Sequence, residues 1–585
     1  MTVYRNNLHR TNWTSSLVLA GLIILSLLLN LWGVTYGLPN RYYPDEGRIV
    51  NNALAFGLGD LNPHYFNYPA LSMYLLFALY ILYFIAGQLT GLFASATDFQ
   101  LLFFSDPSSF YLIGRIANAL VGTATVALLY KLGKETFRDR KIGILAGAFL
   151  ATLPYYVFLS HFIVTDILQT LFILAAYIFI IRILRTGKLK NYIWAGVLAG
   201  LGTATKYSPG VLILPIALAH IFYLFSRKEK ERITFSRLVF PVAVSGFFLV
   251  LLFFIGSPYN FLDFKNFYDS LEFRSHLGAV GTFGTRVGTA WLVYPRLMFY
   301  HSFTILNRLD PLGFVFFGGL IWAAFKRRRE DLLLVLYPLT IYLMVGSWSF
   351  GSYRYSLPFI PFFALLGARA AVEAGQALKE KIDQANLSRA LAGGLNGFIA
   401  LILILSLANT ALLNRLLSGP DTRTRAREWV ESNIPPGSRI AMEWDTEATV
   451  QLWETPDDIQ AKIRAYESGE AETIHHTSEQ MAEVHRMRLE AVPEKNYRIT
   501  RIGGMDGTRV ITDGYSLDRL REDGVEYFLT SGEVTMVFSG DRAREIYPEQ
   551  FEFYRRVKEE LPLLAVFHPH PLSSRGPEIR IYRLD

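Results

Sequence analysis

The sequence Tyr42-Tyr43-Pro44-Asp45-Glu46-Gly47-Arg48 lies between the first two long apolar runs of the chain, and the rest of the chain is interpreted around it. It continues into an aromatic, proline-containing segment that ends in Tyr68-Pro69-Ala70-Leu71. Two adjacent carboxylates and an arginine are thereby held where the chain meets a membrane surface. Ionisable groups at membrane sites cost free energy unless they are solvated, paired or used in function. The alternative is a solvated loop in which Asp45 and Glu46 only cap a helix that begins near Arg48.

Repeated long apolar stretches dominate the 585-residue chain, which is 51% hydrophobic and 18% charged. Soluble domains carry about 25% charged residues, so the composition predicts a polytopic α-helical membrane protein. The net charge of +7 comes from lysines and arginines in short loops between apolar runs, and it does not indicate a nucleic-acid partner. The chain has no cysteine, which excludes disulfides, thiolate metal sites and cysteine nucleophiles.

The first apolar run, Ser15 to Val34, is long enough to cross a membrane and lacks a clear small-residue cleavage site, so no cleavable signal is predicted. Arg5 and Arg10 precede it, which predicts a cytoplasmic N-terminus and an outer first loop over residues 35–70. Later basic clusters should then mark the inner side. They are residues 131–141, 182–190, 227–237, 326–329 and 379–389.

The run Leu71 to Leu92 disturbs this alternation, because one crossing there would place the basic stretch 131–141 outside. We therefore expect a pair of half-helices broken near Gly87, or a helix lying at the outer interface. The run Ile193 to Phe225 is too long for one crossing of ~30 Å at ~1.5 Å per residue. Its basic flanks predict a helical hairpin with an outer turn at 205–210. About eleven crossings of ~20 apolar residues follow, and they place the C-terminus outside.

On this topology the charged residues of several loops meet on the outer face. Each of them alone has a structural explanation, because a lysine can snorkel, an arginine can pair with a loop carboxylate and an aspartate can cap a helix. Their occurrence on one face favours a functional site. The loops concerned are 42–70, 160–166 with Asp166, 205–210 with Lys206, 257–310, and 351–355 with Arg354.

The composition changes near Asp421, where apolar runs shorten and charge rises. We predict a helix over Thr422 to Ser432 and a strand over Ser438 to Trp444. A second helix followed by a second strand is predicted within residues 516–530. Two further strands are predicted, Leu563 to His568 and Glu578 to Leu584. The chain is therefore divided into a membrane domain, 1–414, and an extracytoplasmic α/β domain, 421–585.

Two histidine pairs in this region, His475-His476 and His568/His570, lack a matching ligand pattern, so we interpret them as surface histidines rather than metal ligands. The sequence contains no Walker-type or dinucleotide-binding glycine motif, which argues against a nucleotide-fuelled pump.

Sugar transfer from a phosphate-activated donor needs a base that deprotonates the acceptor hydroxyl and cations that stabilise the departing phosphate. Nucleotide sugars are absent outside the cell, so such a donor would be carried on a lipid. Asp45 can be the base, and the aromatic segment 42–74 can stack on sugar or isoprenoid. The phosphate-binding candidates are Arg48, Lys206 and Arg354, and the substrate-pocket candidates are Tyr43, His64 and Tyr68.

The motif Tyr43-Pro44-Asp45-Glu46-Gly47-Arg48 resembles the first-outer-loop motif of the GT-C glycosyltransferases. It is most similar to the branch with protein O-mannosyltransferases and the lipid A aminoarabinose transferase. Segments similar to that branch follow in the same order: Ser160 to Asp166, Gly202 to Lys206, Arg354 to Pro358 with Pro361, and Ala426 to Ile440.

The resemblance implies that Asp45 is the catalytic base and that Glu46 positions the acceptor or the sugar donor. It also implies Asp166 as a second acidic site residue, with Arg48 and Lys206 near the lipid phosphate. Several relatives carry Lys-Pro-Pro-Leu after the first loop, whereas this chain has Tyr68-Pro69-Ala70-Leu71. Our hypothesis is that Arg354 or Lys206 replaces the missing lysine.

The sequence thus predicts an integral plasma-membrane glycosyltransferase that moves a sugar from a polyprenyl-phosphate donor to an extracytoplasmic hydroxyl of a protein, lipid or glycan. A transporter or flippase of lipid-linked sugars is an alternative, although no mid-span charge or inverted repeat supports it. A non-catalytic glycan-binding protein of the cell envelope is another, but it would leave the acidic loop without a role. No cofactor is predicted with certainty, and a divalent metal ion shared by Asp45, Glu46 and Asp166 stays open.

Overall fold

The computed structural model describes residues 2–226, 234–280, 290–299, 309–349, 351–381, 384–443, 449–471, 477–506, 509–511 and 513–584. The chain up to residue 417 is helical. Its helices are α1 (Thr2–Leu31), α2 (Glu46–Ala55), α3 (Leu71–Thr90), α4 (Ala96–Ser105), α5 (Ser108–Phe137), α6 (Arg140–Thr152), α7 (Pro154–Ser160), α8 (Thr165–Thr186), α9 (Leu189–Thr205), α10 (Ile213–Ser226), α11 (Phe235–Gly256), α12 (Tyr259–Leu262), α13 (Phe264–Val280), α14 (Val293–Leu297), α15 (Leu312–Lys326), α16 (Arg329–Gly346), α17 (Tyr353–Ser356), α18 (Ile360–Lys381) and α19 (Ala385–Leu417).

Six of the described helical segments are long and apolar enough to cross a membrane, and they become seven if α6 and α7, which meet at a 68° bend, form one span. Shorter apolar helices occur at Ser16–Leu31 and Leu312–Lys326. The chain is an integral membrane protein. The predicted count of about eleven crossings of ~20 residues stays a prediction. The six segments are Leu71–Thr90, Ser108–Phe137, Thr165–Thr186, Ser208–Ser226, Phe235–Gly256 and Asn386–Leu417.

Helix α3 corrects the expectation of two half-helices broken near Gly87. It runs without interruption for 20 residues and ends one step before Gly91, which adopts a left-handed conformation at φ 76°. Gly87 serves a different purpose, because a Cβ there would lie 2.1 Å from the ring of Phe93. The glycine lets the chain fold back over the helix end rather than interrupting it.

Close approach of helix backbones holds the bundle together. A Cβ on Gly196 of α9 would lie 2.3 Å from the carbonyl oxygen of Ser245 in α11, and one on Gly200 would lie 2.5 Å from that of Leu249. Lipid chains are as apolar as leucine, so packing contacts of this kind, rather than exclusion of water, drive association of membrane helices. The small residues spaced four apart in α9 therefore fix its position against α11.

Two further expectations concern the middle of the chain. The predicted break within Ile193–Phe225 is confirmed, because α9 ends at Thr205 and a 3-10 turn, Ser208–Leu212, precedes α10. That the two helices form a membrane hairpin with an outer turn stays a prediction. The outer segment 257–310, by contrast, was expected to be a loop, and it contains helices α12, α13 and α14 in its described parts. The sequence interpretation missed them because these helices are short or weakly apolar.

From residue 422 the chain alternates helices with short strands. The strands at Arg439–Glu443, Tyr527–Ser531, Leu563–Phe567 and Ile579–Arg583 coincide with the four predicted ones. Trp444, the predicted end of the first of them, lies outside the described residues. The helices are α20 (Thr422–Asn433), α21 (Pro456–Glu467), α22 (Ser478–Glu490), α23 (Leu517–Glu522), α24 (Gly532–Thr535), α25 (Asp541–Ile546) and α26 (Pro548–Glu560). The strands are β1 (Arg439–Glu443), β2 (Arg498–Ile502), β3 (Gly504–Asp506), β4 (Arg509–Ile511), β5 (Tyr527–Ser531), β6 (Leu563–Phe567) and β7 (Ile579–Arg583).

Five of these strands form one sheet in the order β2-β1-β5-β7-β6, and β3 pairs with β4. Strand β1 is parallel to β2 and β5, whereas β7 is antiparallel to β5 and β6. Ile440 and Met442 belong to one apolar cluster and Ala441 to another, and all three are fully buried. Successive side chains of a strand point to opposite faces, so the sheet is covered on both faces. The domain limits 1–414 and 421–585 stay predictions.

Candidate active site

Four charged side chains come from places where a helix begins or ends. Asp45 precedes α2 but makes no side-chain hydrogen bond to it, so the interpretation that Asp45 only caps this helix is wrong. Asp166 lies in the first turn of α8, and Lys206 directly follows α9. Arg354 lies in the short helix α17. Helix ends position these charges at the membrane surface, whereas helix middles would place them in hydrocarbon.

The structure brings these four residues, Asp45, Asp166, Lys206 and Arg354, into one carboxylate–cation cluster. Arg354 Nη1 forms an ion pair with Asp45 Oδ2, and Nη2 and Nε lie 2.7 and 3.1 Å from Asp166 Oδ2. Lys206 Nζ lies 2.6 Å from Asp166 Oδ1. Asp166 has no exposed side-chain surface, whereas 19% of the Asp45 side chain is exposed. Asp45 is therefore the carboxylate of the cluster that a substrate reaches most readily.

Aromatic side chains surround the cations of the cluster. Lys206 Nζ lies 5.4 Å from the centre of the Tyr355 ring and 6.0 Å from that of Tyr68. The Tyr68 hydroxyl lies 3.5 Å from Asp45 Oδ1, and burial raises the pKa of Tyr68, so its hydroxyl remains a hydrogen-bond donor. The guanidinium carbon of Arg274 also lies near this ring, 5.1 Å from its centre. Tyr68, one of the substrate-pocket candidates, thus lies beside the cluster.

The loops that carry Tyr68 and Lys206 are tied together by neutral hydrogen bonds. The Tyr207 hydroxyl donates to the carbonyl of Phe66 at 2.7 Å and accepts from the Asn260 amide at 2.9 Å. The backbone N–H of Ala70 donates to Ser257 Oγ at 2.8 Å. The residues that directly follow α11 therefore hold both loops in place beside the cluster.

Glu46 lies outside the cluster, and the expectation that it positions the acceptor or the sugar donor stays a prediction. Its carboxylate is fully buried and accepts hydrogen bonds from Arg115 Nε and Nη2 at 2.8 and 2.6 Å and from the N–H of Ile163 at 2.9 Å. Residues that follow each other in a helix point about 100° apart, so the two carboxylates of this pair face different surroundings. Glu46 anchors the loop, and Asp45 carries the exposed charge.

Arg115 is the site-region residue that the sequence interpretation missed. It is a fully buried charge within a predicted span, and its Nη1 donates to the carbonyls of Val34 and Tyr36 at 2.9 and 2.8 Å. An arginine inside an apolar run is a functional signal in itself, and it should have prompted a search for an acidic partner.

Two predicted site residues are not brought to the cluster. Arg48 is exposed, and its Nη1 lies 3.3 Å from the Tyr65 hydroxyl. His64 is also exposed and lies 2.7 Å from Asp60. Tyr43, a third predicted site residue, is stacked on Phe162 with ring centres 4.4 Å apart. Burial raises the pKa of the Tyr43 hydroxyl to about 12.

The segment that leads into Asp45 is held by the C-terminal part of the chain. The Tyr36 hydroxyl donates to Asp421 Oδ2 at 2.5 Å, and Arg423 Nε and Nη2 each lie 2.8 Å from the same carboxylate. The Arg423 guanidinium carbon lies 3.8 Å from the centre of the Tyr42 ring. Arg427 Nη1 also contacts the loop, because it donates a hydrogen bond to Asn40 Oδ1 at 2.7 Å. The C-terminal part therefore fixes the course of the loop immediately before Asp45.

The described residues contain no group of three or more histidine, aspartate or glutamate side chains arranged to hold a metal ion. The oxygens of Asp166 face a lysine and an arginine, and those of Glu46 face Arg115, so the three proposed acidic ligands do not converge. His568 pairs with Glu578 at 2.7 Å and is exposed, as interpreted from the sequence. His475-His476 lies outside the described residues.

Comparison with known proteins locates the chain among membrane transferases. Residues 108–255, which contain Asp166 and Lys206, match the family model described as dolichyl-phosphate-mannose-protein mannosyltransferase. The undecaprenyl phosphate-α-4-amino-4-deoxy-L-arabinose arabinosyl transferase 1 of Proteus mirabilis is 26% identical over 331 residues, which is 53% of this chain. The alignment spans 57% of that relative, just over half of its length.

Two solved structures are similar over nearly the whole chain. The ArnT structure from Cupriavidus metallidurans bound to undecaprenyl phosphate covers 98% of each chain at 14% identity and a TM-score of 0.48. The oligosaccharyltransferase structure from Archaeoglobus fulgidus covers 96% of this chain and 72% of its own at 12% identity and a TM-score of 0.44. The family model over residues 108–255 and the Proteus mirabilis relative over 331 residues are both described as sugar transferases, the class that the resemblance to the GT-C glycosyltransferases predicts for this chain.

Proposed function

We propose that this protein transfers a sugar from a polyprenyl-phosphate-linked donor to a hydroxyl group of an acceptor outside the cytoplasm. The observation that carries the proposal is the carboxylate–cation cluster, in which Arg354 bridges Asp45 and Asp166 and Lys206 binds Asp166. Its members supply the two functions that the reaction needs, a base and phosphate-binding cations. The curated relative in Proteus mirabilis is named for an undecaprenyl-phosphate-linked sugar, which supports the same class of donor.

In the proposed reaction the acceptor oxygen attacks the anomeric carbon of the donor sugar. The new bond joins that carbon to the acceptor oxygen, and the bond from the carbon to the phosphate oxygen breaks. Asp45 takes the proton of the acceptor hydroxyl, and polyprenyl phosphate leaves with the bonding electrons. Lys206 and Arg354 bind the departing phosphate, and the rings of Tyr68 and Tyr355 provide faces for a sugar.

Because Arg354 pairs with Asp45 in the cluster, binding of the sugar donor also affects Asp45. Arg354 forms an ion pair with Asp45 and occupies this carboxylate in the absence of a donor. A donor phosphate that draws Arg354 away leaves Asp45 free to accept a hydrogen bond from the acceptor hydroxyl. Asp166 is fully buried and stays as the counter-ion of the cations. Donor binding therefore prepares the base.

The proposed outer location of the site rests on the length and charge of α8. Asp166 and Arg185 lie at opposite ends of this 22-residue helix, which at ~1.5 Å per residue is about the length of the hydrocarbon core. Basic residues mark the cytoplasmic ends of membrane helices. The Arg185 end is then inside, and the cluster is outside.

The test is release of undecaprenyl phosphate from labelled undecaprenyl-phosphate-linked sugars, with and without a membrane extract as acceptor source. We expect Asp45→Asn to reduce turnover by a factor of about 10² to 10⁴, the usual contribution of a general base, and to keep binding of undecaprenyl phosphate. Asp60→Asn is the matched control, because Asp60 lies in the same loop and pairs with exposed His64. Equal turnover of wild type and Asp45→Asn would contradict the proposal. A flippase or a glycan-binding protein would release no undecaprenyl phosphate at all.

A further inference from the structure

A cavity of about 350 Å³ lies at the end of α8 opposite to the carboxylate–cation cluster. Asp166 of the cluster lies in the first turn of α8, whereas Leu184 and Arg185 in its last turn line the cavity. The length of α8, 22 residues at ~1.5 Å each, separates the two sites by about 30 Å. The cavity volume falls in the range of about 300–1,000 Å³ that small-molecule sites occupy. This cavity therefore belongs to a different surface of the protein from the cluster.

Four arginines from three separate regions of the chain line this cavity, which we call the arginine pocket. They are Arg138, which follows α5, Arg185 near the end of α8, and Arg328 and Arg329 at the start of α16. The described lining contains a single acidic residue, Glu330. Because these regions are far apart in sequence, helix packing gathers the positive charge, and no single basic loop supplies it.

Carboxylates neutralise only part of this charge. Arg328 Nη1 lies 3.1 Å from Glu373 Oε1, so Arg328 is left out of the charge count. Glu135, a neighbouring carboxylate outside the lining, is held by Arg182 Nη2 and Nε at 2.7 and 2.9 Å. Among the described residues, the other three arginines of the pocket form no ion pair, and Glu330 offsets one of them. The pocket thus keeps an excess of two positive charges.

Two of these arginines make one hydrogen bond each to a backbone carbonyl. Arg185 Nη2 donates to the carbonyl of Thr136 at 2.7 Å, and Arg329 Nη1 donates to that of Phe222 at 3.2 Å. The alternative explanation is that the arginines only cap the carboxyl ends of α5 and α10. A guanidinium carries five N–H groups in a planar fork, however, so one such contact leaves donors for an anion.

The pocket opens beside a surface that lipid chains contact. Ser226, the last residue of α10, lines the pocket, and the neighbouring Phe225 is 72% exposed. Helix α10 is part of Ser208–Ser226, one of the segments long and apolar enough to cross a membrane. Contact with hydrocarbon removes such an exposed ring from water. A bound molecule can therefore place an anionic group on the arginines and a hydrocarbon chain along α10.

We propose that the arginine pocket binds the phosphate group of an anionic phospholipid, with one acyl chain along α10. The guanidinium fork matches the geometry of phosphate oxygens. Basic pockets between membrane helices on the cytoplasmic side bind head groups of this kind, and the proposed topology places the Arg185 end of α8 on that side. The inference does not depend on the proposed sugar transfer, because no residue of the carboxylate–cation cluster lines the pocket.

The test measures lipid binding to the delipidated full-length protein in detergent by native mass spectrometry. Phosphatidylglycerol and phosphatidylcholine with identical acyl chains are titrated separately. We expect saturable binding of phosphatidylglycerol with at least about tenfold preference over phosphatidylcholine, since each excess positive charge at a membrane surface adds about fivefold in affinity. Equal affinity for the two lipids would overturn the proposal.

Two variants and a matched control assign the preference to the pocket. Arg329→Gln should weaken binding of phosphatidylglycerol about fivefold and leave phosphatidylcholine unchanged, whereas Glu330→Gln should strengthen binding of phosphatidylglycerol. The control is Arg389→Gln, the same change at an exposed arginine outside the pocket, and it should bind both lipids as wild type does. Equal losses in Arg329→Gln and Arg389→Gln would mean unselective surface charge. A lower unfolding midpoint of Arg329→Gln with unchanged lipid preference would leave only the capping role. Either result would overturn the site.

Competition distinguishes a lipid from a soluble phosphate compound, which offers the same anionic group. Inorganic phosphate and glycerol 3-phosphate should not displace phosphatidylglycerol at equal concentrations, because they lack the acyl chain. Displacement by either of them would assign the pocket to a soluble phosphate and overturn the lipid. Phe225→Gln should weaken both lipids by a similar factor and keep the preference. Unchanged binding in Phe225→Gln would overturn the placement of the chain along α10.

Discussion

Glu46 and Arg115 form a buried ion pair in which neither side chain is more than 1% exposed. The pair joins the start of α2 to α5, and Arg115 also binds the carbonyls of Val34 and Tyr36 at the end of the first helix region. The adjacent carboxylate, Asp45, is left to pair with Arg354 at the accessible side of the cluster. The motif therefore combines a buried anchor and a partly exposed carboxylate, the proposed base, in consecutive residues.

Removing one member of the anchor should destabilise the protein. Glu46→Gln leaves Arg115 as a buried charge without its counter-ion, and breaking such pairs costs about 3–5 kcal/mol. We expect a clear fall in the midpoint of thermal unfolding in detergent for Glu46→Gln and none for Asp45→Asn. The double variant Glu46→Gln/Arg115→Met should recover part of the loss, because no buried charge remains. Similar midpoints for Glu46→Gln and wild type would contradict the anchoring role.

Arg354→Ala should weaken binding of the sugar donor. The cluster contains two carboxylates and two cations, so the loss of one cation leaves an excess negative charge that repels phosphate. A hydrogen bond to a charged group contributes about 1.5–3 kcal/mol, which corresponds to an increase in the donor KM of about tenfold or more. Arg48→Ala is the matched control, because Arg48 lies outside the cluster beside Tyr65. A donor KM that rises only in Arg48→Ala would reverse the assignment of the two arginines.

Arg423→Lys tests whether the C-terminal part positions the reactive loop. Lysine keeps the charge but loses both the two-point contact with Asp421 and the stacking over Tyr42. We expect kcat to fall by about an order of magnitude, since misplacement of a reacting group by about 1 Å costs up to about 10²-fold. The affinity for undecaprenyl phosphate, which we propose is bound by Lys206 and Arg354, should not change. Arg425→Lys, a neighbouring arginine over the Phe567 ring, is the control and should retain full turnover.

Glu443 makes the stability of the C-terminal sheet depend on pH. Burial raises the pKa of this carboxyl from 4.5 to about 7, although the hydroxyls of Thr530 and Tyr554 donate to it. The folded state then binds a proton more tightly than the unfolded state, so stability is highest below about pH 4.5 and falls as pH rises to about 7. The shift corresponds to about 3 kcal/mol.

The Glu443→Gln variant checks this dependence. Glutamine keeps the shape and does not ionise, so the unfolding midpoint of the variant should lose the decline between pH 4.5 and pH 7 that wild type shows. Measurements at constant ionic strength by tryptophan fluorescence give both curves. Parallel curves for the two proteins would assign the pH dependence to other groups.

Much of the architecture follows from local features of the sequence. The runs of apolar residues predict the membrane helices, since spans in hydrocarbon must bond their own backbone groups. Short alternating segments between turn residues predict the strands of the C-terminal sheet. The break at 205–210 follows from the length of the run, which is too long for one crossing, and from its basic flanks. Asp45, Asp166, Lys206 and Arg354 were found by locating charges at the ends of apolar runs on one side of a membrane.

Other features depended on contacts between distant parts of the chain. The packing of α9 against α11 was decided by Gly196 and Gly200, whose Cα atoms approach the backbone at Ser245 and Leu249. The separate roles of Asp45 and Glu46 were decided by Arg354 and Arg115, which lie 309 and 69 residues away in sequence. The arginine pocket joins the ends of α5 and α8 to the start of α16, which are far apart along the chain.

By itself, the sequence determined that this is a helical membrane protein with acidic and basic groups gathered on one face, because hydropathy and helix ends are local properties. Only the tertiary structure decided which carboxylate is buried against Arg115 and which pairs with Arg354 and stays partly exposed. Side-chain direction at a helix start differs by about 100° from one residue to the next, and the partner that each direction meets is set by packing.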